Sequence, residues 1–395
     1  METLQLEKIA QATEIMSELD IDLWLIIEKE SGIMTDPVAD FLLGTGATWL
    51  SFFFFFRDGK KYAIIGNLDI EKFRRLELFD DIITYKDSCK EPLLKMLKEY
   101  NPATIALNYS TDSPAADGLS YGRYLQLVNL LEGTDFGTRF VSAEDIISKM
   151  KGRKSKEEVS RIRRAIEVTL DLYDKVAEFA KPGHTEKDVA QFLIDERKKL
   201  GLQPSWEEEH NPAVFAGPQD TGAHSGPTDK KLERGHVFNI DFGVIYKDYC
   251  SDLQRTWYLL REGETEAPEE VLKGFNTIKE SIKLAFDAIK PGVTGAEIDK
   301  IARDHIVANG YDEFPHALGH QVGRSAHDGG ALLAPTWERY GKLPHIPLEE
   351  GQVFTIEPRL YLKEHGVVTI EEMIYITADG AEWLSKPQEG IFLIT

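Results

Sequence analysis

The chain has 395 residues, long for a single hydrophobic core, so two domains are expected. Its 46 Lys and Arg against 67 Asp and Glu leave a formal net charge of −21, which argues against a general affinity for nucleic acid or an anionic membrane. Two cysteines, Cys89 and Cys250, are too few for a disulfide framework and fit a reducing compartment.

The opening "METLQLEKIAQATEIMSELD" lacks the basic segment and apolar core of a signal peptide. Within it, Ile9, Ile15, Met16 and Leu19 keep helical spacing, and "DLWLII" follows as a buried strand. "WLSFFFFF" is far short of the roughly 20 residues of a membrane span. With "RDGK" and "KYAIIG" it predicts a hairpin around Asp58-Gly59, its phenylalanines serving a central strand or a subunit contact. A cytoplasmic location is the expectation. Strands at 81–85 and 104–108, separated by the helix-like "EPLLKMLKEY", complete an alternating α/β domain over 1–148.

A basic linker, "SKMKGRKSK", is expected to separate this from a second domain, 149–395. Ser155 and Glu158 form a capping-box signature, and Val159, Ile162, Ile166, Leu170, Tyr173 and Val176 make one face of a long helix apolar.

The second domain repeats itself. "AKPGHTEKDVAQFLIDERKKLG" and "IKPGVTGAEIDKIARDHIVANG" align Lys181 with Lys290, Pro182 with Pro291, Gly183 with Gly292, Thr185 with Thr294 and Gly201 with Gly310. "ERGHVFNIDFG" and "EEGQVFTIEPR" align Gly235 with Gly351, Phe238 with Phe354 and Asp241 with Glu357. Two pairs in the same order at nearly equal offsets indicate two related halves rather than a solenoid.

Asp241 lies within the apolar strand "VFNIDFGVIY", where an ionised carboxylate costs several kcal/mol unless it is paired or bound to a metal. A hairpin centred on Tyr246-Lys247 would set Asp241 opposite Asp252, and one centred near Glu364 would pair Glu357 with Glu371. Four converging carboxylates require a cation or protonation, because like charges facing each other destabilise a sheet. A single acid in a strand is commonly a cap or half of a salt bridge. The repetition is what points to a cluster. "HALGHQVGRSAHD" adds His316, His320 and His327 in a glycine-bearing stretch, and oxygen-rich ligands with one imidazole favour Mn²⁺, Co²⁺ or Fe²⁺ over tetrahedral zinc. His224 lies in the loop "AGPQDTGAHSGPTD", beside the first acidic strand.

These stretches, with "VFTIEP" and "VVTIEEM" in this order and spacing, resemble the pita-bread metallopeptidases: aminopeptidase P, prolidase, methionine aminopeptidase and the metal-free creatinase. The resemblance covers about residues 150–395, and the preceding domain looks like the accessory domain of the creatinase, prolidase and aminopeptidase P branch. It implies an α+β fold: a C-terminal pita-bread domain with a pseudo-twofold repeat, after an N-terminal α/β creatinase-like domain. It also implies an enzyme that cleaves short peptides at an Xaa-Pro bond. By resemblance Asp241, Asp252, His320, Glu357 and Glu371 bind two divalent ions, with Asp252 and Glu371 bridging. Mn²⁺ is the first choice and Co²⁺, Fe²⁺ or Zn²⁺ the alternatives. The ions would activate a bridging water as hydroxide, with Glu357 moving the proton towards the leaving amine. His316 and His327 match histidines that contact the substrate carbonyl, and His224 one that lines the substrate side. A homodimer is implied by the same analogy. A same-fold metalloenzyme acting on a non-peptide substrate, and a non-catalytic binding relative, are the alternatives.

The chain departs from the Xaa-Pro pattern at Thr369, where a basic residue is usual, at Arg359 in "EPR" where glycine is usual, and at His236. The metal-ligand positions are untouched.

Overall fold

The computed structural model describes residues 3–218 and 226–395, which form two compact units, Met1–Lys151 and Gly152–Thr395. In the first unit the elements run α1 (Thr3–Glu18), β1 (Leu23–Glu28), α2 (Pro37–Leu43), β2 (Ser51–Phe56), β3 (Lys61–Gly66), α3 (Ile70–Arg74), β4 (Asp81–Tyr85), α4 (Lys90–Tyr100), β5 (Ile105–Leu107), α5 (Tyr121–Leu130) and β6 (Phe140–Ser142). Helix α6 (Glu144–Gly152) closes it. One six-stranded sheet, ordered β4-β3-β2-β1-β5-β6, holds the unit together.

The phenylalanine run is explained by that sheet. Strand β2 is central and covered on both faces, so every residue from Ser51 to Phe56 is buried. Alternation sends Phe53 and Phe55 to one core with Ile15, Leu42 and Ile147, and Phe52, Phe54 and Phe56 to the other with Leu93, Leu97 and Leu127. The stretch "SKMKGRKSK" is not an open linker. Ile146, Ile147 and Met150 pack into the first of these cores, which keeps the chain helical to Gly152.

The second unit opens with α7 (Lys156–Phe179), α8 (Glu186–Lys199), β7 (Gln203–Pro204) and β8 (Ala213–Ala216). The first site hairpin follows: β9 (Val237–Phe242), β10 (Val244–Tyr246), β11 (Tyr249–Cys250) and β12 (Leu253–Leu259). Next come α9 (Glu269–Ala288), α10 (Gly295–Ala308), β13 (Val353–Ile356), β14 (Arg359–Leu362), β15 (Gly366–Thr369), β16 (Glu372–Thr377), β17 (Gly380–Trp383) and β18 (Phe392–Ile394). Its sheets are β18-β12-β9-β8, β13-β16-β17, β11-β10-β7 and the pair β14-β15.

The internal repeat is structural down to single hydrogen bonds. Thr185 and Thr294 both close capping boxes, with Asp188 and Glu297, at the starts of α8 and α10. Gly183 N–H donates to Leu232 O and Gly292 N–H to Leu348 O; Leu232 N–H donates to His184 O and Leu348 N–H to Val293 O. Gly235 and Gly351 share a positive φ, 88° and 90°, at the turns that launch β9 and β13.

The registers differ between the hairpins. The first turn falls on Lys247-Asp248, one residue later than the sequence suggests, with φ of 46° and 68°. A two-residue turn with both φ positive matches the twist of its strands. As a result Asp241 faces Gln254, and Leu253 faces Phe242, so Asp241 and Asp252 are diagonal rather than opposite. Side chains alternate with period two, so this shift leaves Asp241, Asp252 and Gln254 on one face. In the second hairpin Ile356 pairs with Glu372 and Arg359 with Thr369, which sets Glu357 and Glu371 opposite each other in the expected register.

Candidate metal centre

Asp241, Asp252, His320, Glu357 and Glu371 line one cavity of ≈ 570 Å³, together with His316 and His327. Asp241 lies near the end of β9 and Asp252 just before β12; Glu357 follows β13 and Glu371 precedes β16. His320 is brought in by a close approach of its loop to β13. A Cβ at Gly319 would lie 2.0 Å from Thr355 O, so only glycine lets the loop dock there. The dock is held by Thr355 N–H to His320 O, 2.9 Å, and His320 N–H to Thr355 Oγ1, 3.1 Å.

Ligating atoms of Asp252, His320 and Glu371 lie within 4.8 Å of one another. His320 Nε2 is 3.3 Å from Glu357 Oε1 and 3.7 Å from Asp252 Oδ2. Its Nδ1 sits 3.4 Å from Gln321 O, which leaves Nε2 turned towards the carboxylates. Nε2 thus faces two carboxylates, an arrangement that calls for a cation or a proton between them. Among the described residues, Asp241 Oδ1 and Glu371 Oε2 are buried without a hydrogen-bond partner. Such orphaned acceptors cost free energy unless an ion takes up their lone pairs. Four carboxylates with one imidazole suit a divalent, oxygen-preferring ion.

The electrostatics agree. Burial, followed by the charge of Glu357, holds Asp241 well above the usual carboxylate range. Burial and the charges of Asp241 and Glu357 do the same for Asp252, and burial with the charges of Asp252, Glu357 and Asp241 for Glu371. Glu357 is the exception. Burial pushes it up, but the hydrogen bond and charge of His320, with His316 and His327 beyond, bring it below its ordinary value.

Behind the cluster stands Arg255. Its Nη1 donates to the backbone carbonyls of Gln254 and Glu371, 2.9 Å each, and its Nη2 to Glu372 Oε2 at 3.0 Å, with both side chains 1% exposed. This buried pair joins the two half-sites through their backbones. Gln254 and Arg255 were not singled out from sequence. The signal lay in "SDLQRT", where Gln254 follows Asp252 by one strand period and so shares its face.

His224 lies outside the described residues. Both flanks of its loop are fixed by buried Glu186, which accepts from Ala216 N–H and Thr228 N–H at 2.9 Å each and from Thr228 Oγ1 at 2.7 Å. No helix among the described residues is long and apolar enough to cross a membrane.

This cluster, on paired hairpins of an internally duplicated α+β domain behind an α/β domain, defines the class: a metallopeptidase of the pita-bread fold. The family model for metallopeptidase family M24 matches residues 160–378, and the chain belongs to that family. The chain is 29% identical over 330 residues to an uncharacterised peptidase of Staphylococcus aureus, covering 83% of this chain and 86% of that one. Among solved structures it is similar to the X-Pro aminopeptidase of Thermotoga maritima, with 25% identity, coverage of 98% and 99% and a TM-score of 0.70. It is also similar to the prolidase of Pyrococcus horikoshii, with 26% identity, coverage of 97% and 99% and a TM-score of 0.67.

Proposed function

We propose that the chain hydrolyses short peptides at the bond preceding proline, as an Xaa-Pro dipeptidase or in the manner of aminopeptidase P. Asp241, Asp252, His320, Glu357 and Glu371 would hold its divalent ions, with Mn²⁺ as the working metal. The observation that carries this reading is the convergence of five donors from two repeated half-sites in one cavity, with two buried oxygens left unpartnered. The X-Pro aminopeptidase and prolidase relatives, at 25% and 26% identity, support the proline preference.

Divalent ions bound there supply a Lewis acid for the scissile carbonyl and lower the pKa of water. The side chains do the rest. Glu357, ionised because its pKa is lowered, is placed to take a proton and pass it to the leaving nitrogen. His316 Nδ1 lies 2.8 Å from Ala317 O. Burial lowers the His316 pKa and favours the uncharged ring, so the contact with the substrate carbonyl that the resemblance implies would need the hydrogen on Nε2. Arg359 lines the same cavity, and its charge acts on His316. A cation in an otherwise acidic pocket suits a carboxylate, which favours dipeptides with a free C-terminus.

A substrate panel tests this. Purified protein with Mn²⁺ is expected to turn over Ala-Pro or Xaa-Pro-Xaa peptides and to spare Met-initiated peptides without proline. No metal-dependent cleavage of any proline peptide would refute the reading. For Arg359→Met, the KM for Ala-Pro is expected to rise roughly 10- to 100-fold, the weight of a charge-assisted hydrogen bond. The KM for Ala-Pro-amide should hardly change; an equal rise for both would remove Arg359 from carboxylate recognition.

A further inference from the structure

Gln254 is a neutral amide set among the carboxylates of the cluster. On β12 it faces Asp241 across the ladder, and its Nε2 lies 3.3 Å from Glu357 Oε2 and 3.5 Å from Asp241 Oδ2. Asp241 and Glu357 are the repeat mates, so one amide spans equivalent carboxylates from the two half-sites. Carboxylates only accept, which fixes the amide with its NH₂ towards them. At its other end, Thr369 Oγ1 donates to Gln254 Oε1 at 2.8 Å, the nearer of two acceptors, with Pro358 O at 3.2 Å. Thr369 is itself buried and held at both backbone groups: Thr256 Oγ1 donates to Thr369 O at 2.5 Å, and Thr369 N–H donates to Thr256 Oγ1 at 3.3 Å. The Gln254 backbone is equally constrained, its carbonyl accepting from Glu371 N–H at 3.1 Å and from Arg255. The remaining freedom is rotation of the amide, which Thr369 removes.

We propose that Gln254 and Thr369 act as one positioning unit that selects which oxygens of Asp241 and Glu357 are turned towards the metals. With Gln254 on Asp241 Oδ2 and Glu357 Oε2, the opposite oxygens are left for the centre. These are Asp241 Oδ1, which has no partner, and Glu357 Oε1, which is 3.3 Å from His320 Nε2 and keeps a lone pair free beside its 3.4 Å contact from Thr355 Oγ1. Outer partners that orient ligating carboxylates in this way tune metal affinity.

The proposal rests on the metal-binding reading and is tested separately from it, by titrating Mn²⁺ into the metal-free protein and following heat. Gln254→Ala and Thr369→Val are each expected to weaken Mn²⁺ binding roughly 10- to 100-fold. The double variant should be no weaker than the weaker single, and Thr369→Ser should restore wild-type affinity. If the wild type takes up no Mn²⁺, the metal reading itself fails. If the wild type binds but Thr369→Val binds equally well, or the single effects multiply in the double variant, the coupled pair is refuted. Should Thr369→Val not fold, Gln254→Ala decides alone, since unchanged affinity there overturns the proposal.

Discussion

Asp252→Asn is expected to leave the protein folded, deplete its bound metal and lower kcat/KM on a proline dipeptide by on the order of 10³-fold or more. A divalent ion supplies several kcal/mol of transition-state stabilisation, and each 1.4 kcal/mol is tenfold in rate. Asp252 is where the loss should be greatest, because its oxygen is one of three donors within 4.8 Å and it stands next to His320. The substitution keeps the shape of the side chain and removes one charge from a group of mutually repelling carboxylates. The metal-free variant should therefore melt no lower than the metal-free wild type. Lower activity with unchanged or greater apo stability distinguishes a functional site from a structural one, since breaking a structural ion pair lowers both. Metal content after incubation with Mn²⁺ and gel filtration, with melting curves in chelator, gives both readouts. Wild-type metal content with wild-type turnover would remove Asp252 from the ligand set.

Much of this was legible in the sequence because duplication writes the same constraint twice. The paired glycines, the Thr N-caps and the Asp241–Glu357 match required no structure to notice; the glycines and caps recur as matched φ angles and hydrogen bonds, and Asp241 and Glu357 line one cavity. The register of the first hairpin was not legible. Its turn uses Lys247 and Asp248 at positive φ, positions usually announced by glycine or asparagine, so the local signal pointed one residue too early. The error left the site intact because it moved the ladder by a whole strand period. How Gln254, Arg255 and the already noted Thr369 act together stayed hidden for another reason. Their contributions are cross-strand contacts between residues more than 100 positions apart, which no local pattern records.

The metal-free protein is expected to lose stability as pH rises above the ordinary carboxylate range, and bound Mn²⁺ to reverse that slope. Asp241, Asp252 and Glu371 have folded-state pKa values raised well above 3.8, 3.8 and 4.5, so between those ordinary values and the raised ones the folded state holds more protons than the unfolded chain. Their contribution is fully present below the unfolded values and is lost as pH climbs through the folded ones. Glu357 has the opposite sign. Its lowered pKa gives stability that is present above 4.5 and lost only as pH falls through the lower folded value, so it does not offset the loss on the alkaline side. Metal ligands must be deprotonated, so binding releases these protons and tightens as pH rises. Bound ion then adds stability in proportion to the logarithm of its concentration over Kd. Groups remote from the cavity titrate alike in both forms, so the difference in Tm between Mn²⁺-loaded and chelator-treated protein isolates the cluster and the histidines beside it. That difference should widen as pH rises above the ordinary carboxylate values. A constant or narrowing difference would mean that the three carboxylates are already ionised in the metal-free fold, and the repulsion read from their burial would be wrong.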